Sequence, residues 1–262
     1  YGRGSSGFDL SGENIQWHQN IYFSSNSCWL LIPDNSEERG KRIEPETQPQ
    51  SGTLIEYGLA SYHAESDLIN LNASGTEWVG SPILAGGSQP ILADLPDPKS
   101  GVNMSVSARF RGHSVTKTST SYHELTLLHG SLNGDQIGST MSWSGTASRT
   151  LSDSTPDISL DNGSNVFYIK NSSTDANSSP YLDYFEIQYG RELSFSGEYE
   201  FVSPLLGQDV RFSFSGEIPE SVQLWDISDP ASPGIVTIDD SGYSNVTLPF
   251  STLSRFVVFD IS

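Results

Sequence analysis

Basic residues are what this chain has least of: 13 Lys and Arg stand against 32 Asp and Glu, a formal net charge of −19 over 262 residues. Binding to nucleic acid rests on clustered cations that neutralise phosphates, and no such cluster is present, so nucleic acid is not an expected partner. Anionic membrane surfaces are disfavoured on the same ground. Calcium is compatible, because acidic loops offer hard oxygen ligands. Cysteine is nearly absent. Cys28 is the only one, and a single thiol builds neither an internal disulfide nor a multi-cysteine zinc site. Its setting, Asn26-Ser-Cys-Trp-Leu-Leu-Ile32, reads as a strand, so a buried structural thiol is expected. No apolar run is long enough to span a bilayer, so membrane insertion is not expected. No segment shows three turns of helical periodicity. An initiator Met and a signal peptide are missing too, and the final strand has no stop signal, which suggests a piece of a longer chain.

What is present is strand and turn. Serine is abundant, 24 Gly and 14 Pro punctuate the chain, and only 17% of residues are charged, a profile that suits a secreted β-protein. Runs of β character recur every ten or so residues, the signature of a sandwich or barrel. Aromatic strand material in residues 1–33 is followed by a polar, proline-containing loop at 34–52, expected to be mobile. Candidate strands then follow at 54–63, 89–95, 102–111, 122–129, 136–143, 165–170 and 181–190. With long connections between them they predict a jelly roll over residues 1–192. A second, smaller β-sandwich is expected over 193–262, with strands at 198–202, 210–214, 222–226, 234–238, 245–248 and 256–261. The predicted fold class is all-β throughout.

The run Tyr181-Leu-Asp-Tyr-Phe-Glu-Ile-Gln-Tyr189 is read as the strand that closes the first sandwich. Strict alternation puts Leu182, Tyr184, Glu186 and Gln188 on one face and Tyr181, Asp183, Phe185, Ile187 and Tyr189 on the other. A carboxylate is thereby placed among aromatics. The first and last strands of a jelly roll can lie side by side, so Glu65, Asp67, Asp183 and Glu186 are the candidate ligands of a structural Ca²⁺. Solvated carboxylates, or one buried Asp bonded to backbone amides, are the plain alternative. Sugar rings stack on flat aromatic faces, which makes Trp78 and Trp143, both flanked by small polar residues, candidate carbohydrate platforms. A lone Trp in a sandwich is more commonly core. Cys28 paired with His18, His63, His113, His123 or His129 would make a nucleophile and base, but none of the five lies in a recognisable motif. No Gly-x-Ser-x-Gly elbow, His-Glu-x-x-His or phosphate-binding glycine loop occurs.

Several short segments occur in a fixed order: Tyr1-Gly-Arg-Gly, Gln19-Asn-Ile-Tyr-Phe-Ser, Cys28-Trp-Leu, Gly75-Thr-Glu-Trp-Val-Gly80, Leu132-Asn-Gly-Asp-Gln-Ile-Gly138, Trp143-Ser-Gly145, Tyr181–Tyr189 and Leu224-Trp-Asp-Ile-Ser-Asp-Pro230. This series resembles the region upstream of the catalytic domain in gingipain-type cysteine peptidases, including the sortase-like peptidase of the type IX secretion system. In that family a catalytic His precedes a catalytic Cys in an α/β domain. Here Cys28 precedes four of the five histidines and no α/β alternation follows, so no catalytic residue is carried over. The resemblance implies a bacterial, secreted or cell-surface location and a non-catalytic accessory region used for docking, adhesion or surface assembly. The expected partners are a neighbouring domain of the parent chain, a glycan, or a second copy. The alternative is a carbohydrate-binding module with a structural calcium. Tyr62-His-Ala-Glu65 and Leu182-Asp-Tyr-Phe-Glu-Ile187 resemble calcium-holding strands of carbohydrate-binding jelly rolls.

Overall fold

The computed structural model describes residues 7–18, 43–75, 77–116, 120–154, 156, 158–229 and 231–260. Cys28 and its expected burial lie outside them. In chain order the strands are β1 (Gly7–Ser11), β2 (Asn14–His18), β3 (Thr53–Ile55), β4 (Tyr57–Glu65), β5 (Ile69–Asn70), β6 (Trp78–Val79), β7 (Ser88–Leu95), β8 (Ser105–Arg111), β9 (Tyr122–His129), β10 (Asp135–Ser144), β11 (Ser148–Asp153), β12 (Gly163–Asn171), β13 (Tyr181–Glu192), β14 (Tyr199–Val202), β15 (Asp209–Ser213), β16 (Val222–Asp226), β17 (Gly234–Val236), β18 (Tyr243–Thr247) and β19 (Arg255–Asp260). There is no α-helix among the described residues. The all-β expectation is met.

The chain forms two compact units, one of residues 61–190 and one of residues 1–60 with 191–262. In the first, β10-β9-β12-β7 make one sheet, and β11-β8-β13 with the end of β4 make another. Alternation produces the core. Val106, Ala108 and Phe110 of β8 are buried while Ser105, Ser107, Arg109 and Arg111 between them are not. The rings of Phe167 on β12 and Phe185 on β13 meet across the two sheets with centroids 5.0 Å apart. Each such fully buried side chain contributes about 2 kcal/mol from burial alone.

In the second unit the N-terminal part of β4 joins β14, β19, β16 and β17, and a smaller sheet runs β18-β15-β3. Phe201, Phe212 and Phe256 pack against one another in its core, with centroid separations between 5.1 and 5.4 Å. Two glycines permit close approach. A Cβ on Gly58 would lie 2.4 Å from the Phe201 ring, and one on Gly52 would lie 2.5 Å from the Val210 backbone.

This division differs from the expected one at 192/193, because segments before residue 61 go with the C-terminal unit. Two long-range contacts are the reason. β3 pairs in parallel with β15, Leu54 opposite Arg211. The β1–β2 hairpin packs Ile15 against Val202 and Leu253. Part of the expected loop at 34–52 is also paired, since Pro45 forms a parallel bridge to Ile235.

Candidate functional site

The outer surface of β4, β8 and β13 gathers several ion pairs among the described residues. His63 and Glu65 share a face of β4 by their spacing of two, and Glu186 comes from β13. The His63 side chain is only 3% exposed and sits between two carboxylates. Its Nδ1 is 2.9 Å from Glu186 and its Nε2 3.2 Å from Glu65. Ionised carboxylates only accept hydrogen bonds, so both ring nitrogens must donate and the imidazole is held as imidazolium. Burial would lower the His63 pKa, but the hydrogen bonds and charges of Glu186 and Glu65 outweigh it and raise it. The Tyr184 ring lies 5.6 Å from that of His63.

Asp183 departs from the alternation expected for its strand. The register of β13 on β8 shifts between Leu182, opposite Phe110, and Tyr184, opposite Arg109. Asp183 is therefore the extra residue of a β-bulge, and it turns away from the core aromatics. Its carboxylate meets Arg109 Nε at 3.1 Å. Burial pushes its pKa up; Arg109 works against this, and the charges of Glu65, Glu77 and Asp67 add to it, leaving the carboxyl at about 6. Glu77 is itself paired with Arg111 at 3.1 Å. Five carboxylates thus surround three cations, leaving excess negative potential at Asp183.

The four residues expected to share a calcium ion are not brought together as one ligand set. Glu186 is held by His63, Asp67 is on an exposed loop, and no group of three or more His, Cys, Asp or Glu is arranged for a metal among the described residues. The charges that converge on Asp183 are those of Glu65, Glu77 and Asp67.

The two tryptophans separate. Trp143 is 6% exposed, with its ring 4.7 Å from that of His123, so it is core and offers no platform. Trp78 is 36% exposed, and its indole N–H donates to Gly75 O at 3.4 Å.

A buried polar network was not foreseen. His123 is fully buried; its Nε2 faces Gly145 O at 3.0 Å and its Nδ1 faces Ser178 Oγ at 2.8 Å. The carbonyl can only accept, so Nε2 carries the proton and Ser178 donates to Nδ1. Asn171 Nδ2 in turn donates to Ile83 O and Ser178 Oγ. A hydroxyl beside an imidazole is the geometry of a nucleophile and its base. Ser178 and His123 are both 0% exposed, however, so the pair is structural. Burial lowers the His123 pKa. Nothing in the spacing of residues 123, 145, 171 and 178 announces this network, because only the folded sheet brings them together.

The fold and this surface define an all-β region of antiparallel sandwiches. No protein-family profile and no curated protein matches the chain. Among solved structures it is similar to dimeric latent PorU from Porphyromonas gingivalis, with a TM-score of 0.75 and 18% identity over 95% of this chain and 24% of that one. The chain therefore spans about a quarter of the length of that PorU, and the likeness is one of fold. A carbohydrate-binding module, CBM36 in complex with calcium and xylotriose, aligns with a TM-score of 0.32 and 14% identity over 51% of this chain and 92% of that one. A family 35 module from Clostridium thermocellum gives 0.28 and 17%, over 51% and 95%. Neither of these two likenesses bears on the function of this chain.

Proposed function

We propose that the chain is a non-catalytic, extracellular accessory region of a larger gingipain-like protein, used for docking, adhesion or surface assembly. The observation that supports this most is the PorU likeness: nearly the whole of this chain has the fold of a quarter-length part of a longer one. The ordered series of gingipain-type segments agrees with it. On this reading the reading frame continues past Ser262 into an α/β domain with a His ahead of a Cys. A different kind of domain there, or peptidase activity of residues 1–262 abolished by Cys28→Ala, overturns the reading.

Glycan binding with a structural calcium is the second reading, and the exposure of Trp78 favours it. Calcium enters this reading only through the acidic charge gathered near Asp183, since no three His, Cys, Asp or Glu are arranged for a metal among the described residues. Trp78→Ala should abolish retention on a glycan panel. Retention that survives the substitution removes Trp78 as a platform.

A further inference from the structure

One edge of the C-terminal unit's sheet is already occupied by a segment of the same chain. β17 is the last strand of that sheet, and residues Glu44–Gln48 lie along it in parallel. Glu46 N–H donates to Ile235 O at 2.8 Å and Ile235 N–H donates to Glu44 O at 3.1 Å. Gln48 Nε2 donates to Thr237 O at 2.9 Å. Pro45 has no N–H to give, so the ladder is short. The segment is also electrically mismatched to its seat. The Glu46 side chain fills the space over Gly234 where any Cβ would stand, and burial followed by the charge of Asp226 raises its pKa. Beside the same strand runs a groove of about 460 Å³ that includes Ile218, Val222, Ile235 and Ile238, with the exposed acids Glu220 and Asp240 along it.

We propose that the β17 edge and this groove form a docking seat for an extended, basic segment of a protein partner, which adds to the sheet in place of Glu44–Gln48. The inference rests on the docking reading above and gives it a surface. Main-chain hydrogen bonds at a sheet edge accept any extended strand, and flanking pockets and charges choose among them. The native occupant shows that the edge takes a parallel strand. A basic segment replaces the like-charge contact of Glu46 with Asp226 by an attractive one and meets the groove acids Glu220 and Asp240, and the net charge of −19 steers it in.

The probe is a capped heptapeptide alternating lysine with isoleucine; its glutamate counterpart is the control. The lysine peptide should bind residues 1–262 about tenfold or more tighter than the control, with affinity falling as salt rises. At saturation the Glu46 amide should lose hydrogen-exchange protection while the Ile235 amide keeps it, because one strand replaces another. Glu46→Lys puts a cation beside Asp226, holds the native segment down and should weaken peptide binding about tenfold, while Glu198→Lys, the same charge change on another exposed residue, changes it less than about twofold. Equal binding of the two peptides, or unchanged Glu46 protection at saturation, overturns the proposal. If Glu46→Lys leaves binding to the polypeptide encoded downstream intact, docking stands and this seat falls.

Discussion

Replacing Asp183 by Asn is predicted to stabilise the protein at neutral pH. The Asp183 side chain is 26% exposed on a bulge, and its pKa is raised from 3.8 to about 6 by burial, against Arg109, with Glu65, Glu77 and Asp67 adding to the rise. Between about pH 4 and pH 6 the folded state therefore holds a proton that the unfolded chain releases. The stability linked to that proton is fully present below the unfolded value and is lost as pH rises through about 6. Two pKa units at 1.36 kcal/mol each give about 3 kcal/mol, and partial exposure brings the expectation to about 2 kcal/mol. Asn still accepts a hydrogen bond from Arg109 but carries no charge. Calorimetry in EDTA should show Asp183→Asn melting several degrees higher at about pH 7.5, with the gain vanishing below about pH 4. A loss of stability at the higher pH, or a gain that does not vary with pH, would refute the reasoning. On the glycan-and-calcium reading, calcium should invert the comparison by raising the melting temperature of the wild type alone, through mass action. No effect of calcium on the wild type removes the structural ion.

Three further outcomes follow from the same geometry. His63→Gln leaves Glu65 and Glu186 facing each other without a cation and should cost about 3 kcal/mol; because the His63 pKa is raised, that contribution fades as pH climbs through the raised value, so a pH-independent cost contradicts the imidazolium assignment. Ser178→Ala withdraws the donor from buried His123 Nδ1 and should cost about 2 kcal/mol; since the His123 pKa is lowered, wild-type stability should fall as pH drops below 6.5, and a flat acid limb argues against a neutral ring. Trp143→Ala should destabilise by about 3 to 5 kcal/mol and Trp78→Ala by less than about 1 kcal/mol in urea unfolding, and equal costs would put both rings in the core.

Much of the strand order can be read from the sequence, because period-two burial leaves its mark where one face is core. β8, β9 and β12 fall close to their expected positions for that reason. β11 was not expected: Ser-Arg-Thr-Leu-Ser-Asp at 148–153 has a single apolar residue, Leu151, and is held by pairing with β8. The strand expected from residue 54 is interrupted at Glu56, and β3 leaves for a parallel partner more than 150 residues away. No local pattern encodes that. The same limit applies to the site. The sequence marks Glu65 and Glu186 as carboxylates on neighbouring strands and His63 only as a candidate base for Cys28; its pairing with both carboxylates is not read there, although its spacing of two from Glu65 puts both on one face. Asp183 was placed on the wrong face because a bulge adds one residue without any sign in the alternation. Trp143, in a polar context, is core because β10 turns it inward against His123.

Docking within a longer chain is the central proposal. Titrating purified residues 1–262 with the polypeptide encoded after Ser262 in the same reading frame, by calorimetry, tests it in one step. The prediction is a saturable one-to-one complex that weakens with salt. No heat and no complex at concentrations up to about the millimolar range, with both partners folded, would contradict it.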